Sequence, residues 1–335
     1  GEPNSFNRDM DRYRELSVES VKSWAAKVLT PDKRLILRVI PELETPESSP
    51  LDAQPQVAGA PEFEPPTPVT FELSNGITVH HWERHELPML EMTLLIPAGT
   101  ATDPAERAGL TSLAVDMLDE GAGELGAVEF ADALELLGAQ FDASAYRETI
   151  EVSLSTLTRN FDKALPLFAS AVRQPRFDTK EWDRVHTLRV EDLKRSEDQP
   201  TVVARNVAMR AYFGDGHPYS RPGRGTPATV QAVDLTRATE QYRRLFRPDG
   251  AVILVAGDLE AAALKKRLEA ALGDWQAARG AKPVAGKAYP EATPEDFRVV
   301  IVDRPDAVQT VVRFVMPGPV YGDAKRLRYE LLGTI

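Results

Sequence analysis

Residues 69–82 read VTFELSNGITVHHW and predict a β-hairpin. The pair Asn75-Gly76 lies between two runs rich in Val, Ile, Phe and Thr, and Asn-Gly readily adopts the positive φ angles of a tight hairpin turn. We therefore predict strands at residues 69–73 and 77–82, followed by a third strand at residues 89–96.

The pattern downstream alternates between helical and strand periodicity. Helices are predicted at residues 104–120, 126–137, 161–172, 178–197, 200–212, 235–246 and 260–272, and strands at residues 140–146, 149–156 and 251–256. This order predicts an α+β fold in which antiparallel sheets are covered on one side by helices.

Two segments divide the chain into parts. Residues 42–68 are rich in proline with Glu, Ser and Gln, and residues 277–296 are rich in Ala, Gly, Lys and Pro, so both are predicted to be linkers. Residues 69–276 between them form one complete domain in this interpretation. Residues 297–335, with strands predicted at 298–302 and 310–315, begin a following homologous domain that is truncated.

The first 41 residues repeat a pattern found near the end of the central domain. A helix at residues 17–29, a Pro31-Asp32 turn and a β-rich run at residues 34–40 match the helix, Pro248-Asp249 turn and strand within residues 235–256. Residues 1–41 are therefore interpreted as the C-terminal tail of a preceding domain, and both chain ends are expected to be cuts in a longer protein. The alternative is a chance recurrence of a common helix–turn–strand unit.

Composition excludes several functions. The 335 residues carry a net charge of -11, and no basic stripe is present of the kind that nucleic-acid binding requires. The absence of cysteine excludes disulfides, zinc ribbons and a cysteine nucleophile. No apolar run approaches the ~20 residues of a membrane span, and no secretory signal is visible.

Several motifs, in order, resemble a domain of the insulinase/pitrilysin-type zinc metallopeptidases, which are inverzincins. The motifs are residues 73–77 (LSNGI) with 83–88 (ERHELP), 97–100 (PAGT) with 105–110, 137–139 (LGA) with 143–145, 217–222 (HPYSRP) with Gly225-Thr226, and 272–275 (LGDW). Residues 307–310 (AVQT) resemble the opening of the next domain. The resemblance implies repeated domains of this peptidase type.

The family's zinc site uses an inverted motif, His-x-x-Glu-His, and a distant Glu. Aligned along Gly109-Leu110, this resemblance puts the first His on Ser112, the Glu on Val115 and the second His on Asp116, and the distant Glu on or beside Asp192. Such residues offer no imidazole and no general base, so neither a catalytic residue nor a metal ligand is expected here. Residual binding of a hard cation through oxygen atoms is a weaker alternative.

Members of the family often pair an active half with a half that has lost its zinc. The resemblance therefore implies a non-catalytic half that shapes the substrate chamber, with zinc in an active half in the same chain or a partner subunit. The substrates would be peptides or small proteins, and resemblance to bacterial fused members favours the periplasm. The alternative function is an inactive assembly scaffold of the same fold with no peptidase partner.

Histidines outside this motif suggest other possible sites. His81, Glu83 and His85 would share one face of a continuing strand, which permits a metal site, but an exposed polar strand face is the preferred interpretation. His186 is expected on a solvated helix face. His217 and Tyr219, in a loop, are candidates for contact with substrate in the chamber, or else form a packing corner.

Overall fold

A computed structural model describes residues 15–30, 32, 34–38, 64–277, 289, 297–305 and 309–332. The chain divides into two compact units, residues 1–64 and 65–335. In the first unit, helix α1 (Val18–Val28) begins at Ser17, whose side chain accepts a hydrogen bond from the Ser20 backbone amide in a capping box. Most of both predicted linkers lies outside the described residues.

The second unit contains the remaining helices and strands. In chain order they are β1 (Val69–Glu72), β2 (Thr78–Glu83), β3 (Met89–Ile96), α2 (Leu110–Asp116), β4 (Gly121–Ala122), β5 (Leu125–Gly126), α3 (Ala127–Leu136), β6 (Gln140–Ala145), β7 (Ile150–Leu157), α4 (Phe161–Arg173), α5 (Thr179–Glu197), α6 (Pro200–Phe213), α7 (Pro227–Gln231), α8 (Leu235–Leu245), β8 (Val252–Gly257), α9 (Ala261–Leu272) and α10 (Arg326–Leu332). None of the described helices combines the length and the apolarity of a membrane span.

Six strands form the main sheet in the order β1-β2-β8-β3-β7-β6. The predicted hairpin is confirmed, since β1 and β2 pair antiparallel with Glu72 opposite Thr78, and Gly76 adopts a positive φ of 86° in the turn. The β2–β8 pair is parallel, while the other neighbours in this sheet are antiparallel. The sheet is therefore mixed, and the long excursion from β2 to β8 contains most of the helices.

The core lies on one face of this sheet. Leu90, Met92, Leu94 and Ile96 alternate along β3 and are buried, whereas Glu91 between them is exposed. Helices α4 and α9 supply apolar side chains to the same cluster. A second apolar cluster joins α2, α5, α7 and α8. The predicted α+β class with helices on one side is confirmed.

The helix predicted at residues 104–120 is shorter than expected. Residues 105–107 form a 3-10 turn, and α2 begins only after Gly109, whose φ of 97° is left-handed. An α-helix cannot pass through such a residue. Only Leu110–Asp116 is therefore α-helical.

Three predicted strand segments adopt no strand among the described residues. Residues 34–38, 297–302 and 310–315 have no assigned pairing, and their apolar side chains are largely exposed, with Leu35 at 96% and Phe297 at 91%. The predictions of strands at 34–40, 298–302 and 310–315 are therefore wrong for the described residues. The physical reason is that a strand needs hydrogen-bonded neighbours, and even an isolated two-stranded pair is only marginally stable in water.

Candidate functional site

The N-terminus of α2 is held by the buried carboxylate of Asp103. It accepts hydrogen bonds from the backbone amides of Gly109 and Thr111, at 3.0 and 3.1 Å, and Gln241 on α8 donates to the Thr111 hydroxyl at 2.7 Å. Burial raises the pKa of Asp103 to about 6, against the opposing effect of these hydrogen bonds. This short helix is thus set rigidly beside the sheet.

The three zinc-motif positions fall on two faces of α2. Ser112 and Asp116 are one turn apart and share the face that looks toward α5. Val115 is 1% exposed and belongs to the main core beneath the sheet. A carboxylate at position 115 would therefore meet apolar side chains in this chain.

Arg189 on α5 spans the two α2 positions. Its Nη1 donates to the Ser112 hydroxyl at 2.9 Å, and its Nη2 donates to the Asp116 carboxylate. The Arg189 side chain is only 7% exposed, and that of Asp116 is 31% exposed. A fixed cation thus lies between the residues that replace the two histidines of the motif.

The electrostatics of this pair follow from burial. Burial raises the pKa of Asp116, an effect that the nearby charges of Arg189 and Arg224 oppose. Burial lowers the pKa of Arg189, and the nearby Asp116 carboxylate opposes this effect. A guanidinium stays protonated in proteins, so Arg189 keeps its positive charge beside the Asp116 carboxylate.

Asp192, the predicted counterpart of the distant Glu, lies three residues beyond Arg189 on α5. Its carboxylate pairs with Arg224 at 2.9 Å and with Arg195 at 3.8 Å, and its side chain is 44% exposed. Among the described residues, no hydrogen bond or ion pair joins Asp192 to α2. Sequence reasoning missed Arg189, although a signal exists: Trp182, Arg189, Val190 and Leu193 form the buried stripe of α5, so an arginine stands where an apolar residue is expected.

These residues do not fit a zinc ion. Zinc sites in proteins are built from thiolate, imidazole and carboxylate ligands that converge on one point. Here a hydroxyl and a single carboxylate converge on a guanidinium instead. Across the described parts of the chain, no group of three or more His, Asp or Glu side chains is arranged to hold a metal ion.

The loop with His217 and Tyr219 forms an aromatic cluster between the end of α6 and the β6–β7 turn. His217 is buried, stacks on Phe213 at 4.7 Å and accepts a hydrogen bond from the Tyr219 backbone amide at 3.0 Å. Arg147 lies 4.9 Å over the Tyr219 ring, and the Tyr219 hydroxyl donates to Glu148. Burial and the Glu148 carboxylate raise the pKa of Tyr219. His217 thus packs, while Tyr219 is partly accessible.

His81, Glu83 and His85 do not converge. His81 is fully buried and its Nε2–H donates to the Leu259 carbonyl at 2.6 Å, so the expectation of an exposed strand face is wrong for this residue. Glu83 accepts from the Ala261 amide, and exposed His85 lies 2.7 Å from Asp258, which raises the pKa of His85. The chain after β8 folds over this end of β2 and covers His81.

His186 is not on a solvated face as expected. It is half-buried on α5, and its Nε2–H donates to the Val230 carbonyl of α7 at 2.9 Å. Its ring lies 5.3 Å from that of Trp182. The bond to α7 is a tertiary contact that the local charge pattern does not reveal.

Comparison with known proteins relates this chain to one peptidase family. The sequence profile of the insulinase family (peptidase family M16) matches residues 84–222, and that of the peptidase M16 inactive domain matches residues 232–335. The chain is 26% identical over 196 residues to the non-peptidase homolog YmxG of Helicobacter pylori, covering 58% of this chain and 45% of that protein. It is 23% identical over 239 residues to an uncharacterized zinc protease of Mycobacterium tuberculosis, covering 71% and 54%.

Among solved structures, the fold is similar to the peptidase M16 inactive domain from Pseudomonas fluorescens. The TM-score is 0.59 with 26% identity, covering 63% of this chain and 52% of that chain. The chain spans about half the length of the curated relatives it matches.

Proposed function

This chain belongs to the insulinase family, peptidase family M16, and on that premise we propose that it is a non-catalytic half of a zinc metallopeptidase. In this role it shapes the chamber that receives peptides or small proteins and supports cleavage by an active half. That active half carries the zinc, either in the same full-length polypeptide or in a partner subunit.

One observation carries the proposal: Arg189 bridges Ser112 and Asp116 at the place where the family's zinc motif would stand. Around this altered place the fold is well formed. The six-stranded sheet, the apolar clusters and the anchored N-terminus of α2 are all present. A domain that keeps its architecture while its metal position holds an arginine is suited to a supporting role.

The His217–Tyr219 loop is proposed to form part of the chamber wall. Tyr219 offers a partly accessible ring whose position is set by Arg147 and Glu148 on the β6–β7 turn. His217 behind it is buried and holds the loop. Aromatic rings of this kind provide apolar contact area with little loss of conformational entropy.

The test compares the full-length protein with a version that lacks residues 65–277. Both are assayed for cleavage of a fluorogenic unstructured peptide, and this chain is then added back in trans. We expect the deletion to remove most of the activity and the added chain to restore it. Equal cleavage by the deleted protein would show that the chain has no supporting role.

An assembly scaffold without a peptidase partner is the second candidate. The name of the Helicobacter pylori relative, a non-peptidase homolog, favours it. The same assay separates the two functions, because a scaffold predicts no zinc-dependent cleavage by the full-length protein, with or without residues 65–277. Removal of zinc with a chelator followed by its return provides the control.

A further inference from the structure

We propose that the Arg189 guanidinium takes the place of the zinc ion and its glutamate ligand, which the family motif would put between α2 and α5. The Arg189 side chain matches that pair in position, in reach from the backbone and in net charge. Position 189, three residues before Asp192 on the same helix, is then the place of the third metal ligand. The proposal concerns this chain alone. Its metal binding and stability are therefore measured independently of any effect on peptide cleavage.

The position follows from the hydrogen bonds. Ser112 and Asp116 are spaced four residues apart, so their side chains lie on one face of α2, one turn from each other. The two terminal nitrogens of Arg189 reach both of them at once. A metal ion held by two histidines at these positions would have to lie between them, where the guanidinium now lies.

The length of the Arg189 side chain also matches that of a glutamate with a bound zinc ion. A glutamate side chain at position 189 would end about where the Arg189 Nε lies, since both atoms follow the same number of bonds from the backbone. A zinc ion bound to that carboxylate would stand about 2 Å farther on. That is the region that the terminal nitrogens of Arg189 occupy. An arginine is thus close in reach to a glutamate with a bound zinc.

The charge is also conserved. A glutamate carries one negative charge and a zinc ion two positive charges, which sum to the single positive charge of a guanidinium. On α2, both substituting side chains are shorter than histidine, which leaves room for the planar group. Asp116 adds the negative charge that a partly buried cation requires.

A second arginine extends this connection. Arg184, five residues before Arg189 on α5, pairs with Glu120, which lies four residues beyond Asp116. Positions 112, 116 and 120 are thus all joined to α5 through guanidinium groups. Polar contacts thus join α5 to α2 and to the segment that follows it, in addition to the apolar cluster between the two helices.

The decisive experiment converts the site back to metal ligands. The variant S112H/D116H/R189E carries two histidines and a glutamate, whereas S112H/D116H keeps the arginine and serves as the matched control. Zinc binding to each purified 335-residue chain is measured by isothermal titration calorimetry. We expect the triple variant to bind one zinc at least about 100-fold more tightly than the control, because a missing ligand and a resident cation both oppose the metal.

Two results would overturn the proposal. If the control binds zinc as tightly as the triple variant, Arg189 does not occupy the metal's place. If the triple variant folds, as judged by circular dichroism, and binds zinc no better than the wild type, position 189 is not a ligand position.

A second measurement applies even where those variants do not fold. R189M keeps much of the side-chain volume and removes the charge, and R195M makes the same change at a residue of the same helix that is 72% exposed. We expect R189M to lower the melting temperature by about 5–10 °C, since a carboxylate loses its buried partner. R195M should lower it by less than about 2 °C. Equal effects of the two variants would contradict a bridging role for Arg189.

Discussion

The side-chain amide of Asn75 donates a hydrogen bond to the carbonyl of Leu272 at 2.8 Å, joining residues that are 197 positions apart. It also donates to the Trp275 carbonyl at 3.1 Å. The turn of the β1–β2 hairpin is thereby fastened to the end of α9, where helix carbonyls lack partners within the helix. The β1–β2 hairpin and the C-terminal end of α9 are thus joined through this residue.

Asn75→Ala should lower the free energy of unfolding by about 1–2 kcal/mol, because two hydrogen bonds to carbonyl groups are lost. Chemical denaturation measures the change. Asn75→Asp is the control, since Asp-Gly keeps the turn preference but offers no amide donor. We expect Asn75→Asp to be destabilised at least as much as Asn75→Ala. Recovery of wild-type stability in Asn75→Asp would mean that the turn, rather than the contact with α9, explains the effect.

The buried carboxylate of Asp103 should make stability depend on pH. Its pKa is raised to about 6 from the usual 3.8, so between these values the folded chain holds a proton that the unfolded chain has released. The free energy of unfolding should therefore fall by about 3 kcal/mol in total as pH rises from about 4 to about 6. Above pH 6 this contribution should level off. Denaturation at a series of pH values measures this slope.

Asp103→Asn provides the comparison for that slope. The other titratable groups remain in both proteins, so the difference between the two curves isolates Asp103. We expect the wild type to lose stability relative to the variant across this window. A difference that is constant with pH would contradict the raised pKa.

Val115→Glu should not create a useful general base in this chain. The Val115 side chain is 1% exposed and lies in the main core. An unpaired carboxylate there should cost about 3–5 kcal/mol of stability. Leu188→Glu is the matched control, since Leu188 is 49% exposed and the same change there should cost less than about 0.5 kcal/mol. Thermal unfolding of both variants tests the difference, and similar costs would show that position 115 is open to solvent.

Gly225 brings the loop before α7 against the start of α2. Its φ is 81°, and a Cβ atom added there would lie 2.2 Å from the Ala108 carbonyl oxygen. Gly225→Ala should therefore cost more than the ~1 kcal/mol expected from the positive φ alone. Gly138→Ala is the control, because Gly138 also has a positive φ of 58° but no atom within 4 Å of an added Cβ. Equal losses of stability in Gly225→Ala and Gly138→Ala would show that the loop moves away from Ala108 without a cost in free energy.

Local sequence determines much of this protein. The Asn75-Gly76 turn, the alternating apolar residues of β3 and the helical periodicity of α4 and α9 are all predictable, because each depends on neighbours within a few positions. The replacement of the zinc-motif residues at positions 112, 115 and 116 is also visible in the sequence. The sequence by itself therefore predicts these elements and the loss of the zinc-binding residues, while the family follows from the matches to known proteins.

Only the tertiary structure decides which residue of α5 faces α2, and it is Arg189 rather than Asp192. A shift of three residues along a helix is nearly one full turn, so the sequence spacing alone leaves both on similar faces. Burial of His81 and the absence of strand pairing at residues 297–302 likewise depend on distant segments. The physical reason is the same in each case: desolvation and strand pairing are supplied by residues far away in sequence, and no local pattern encodes them.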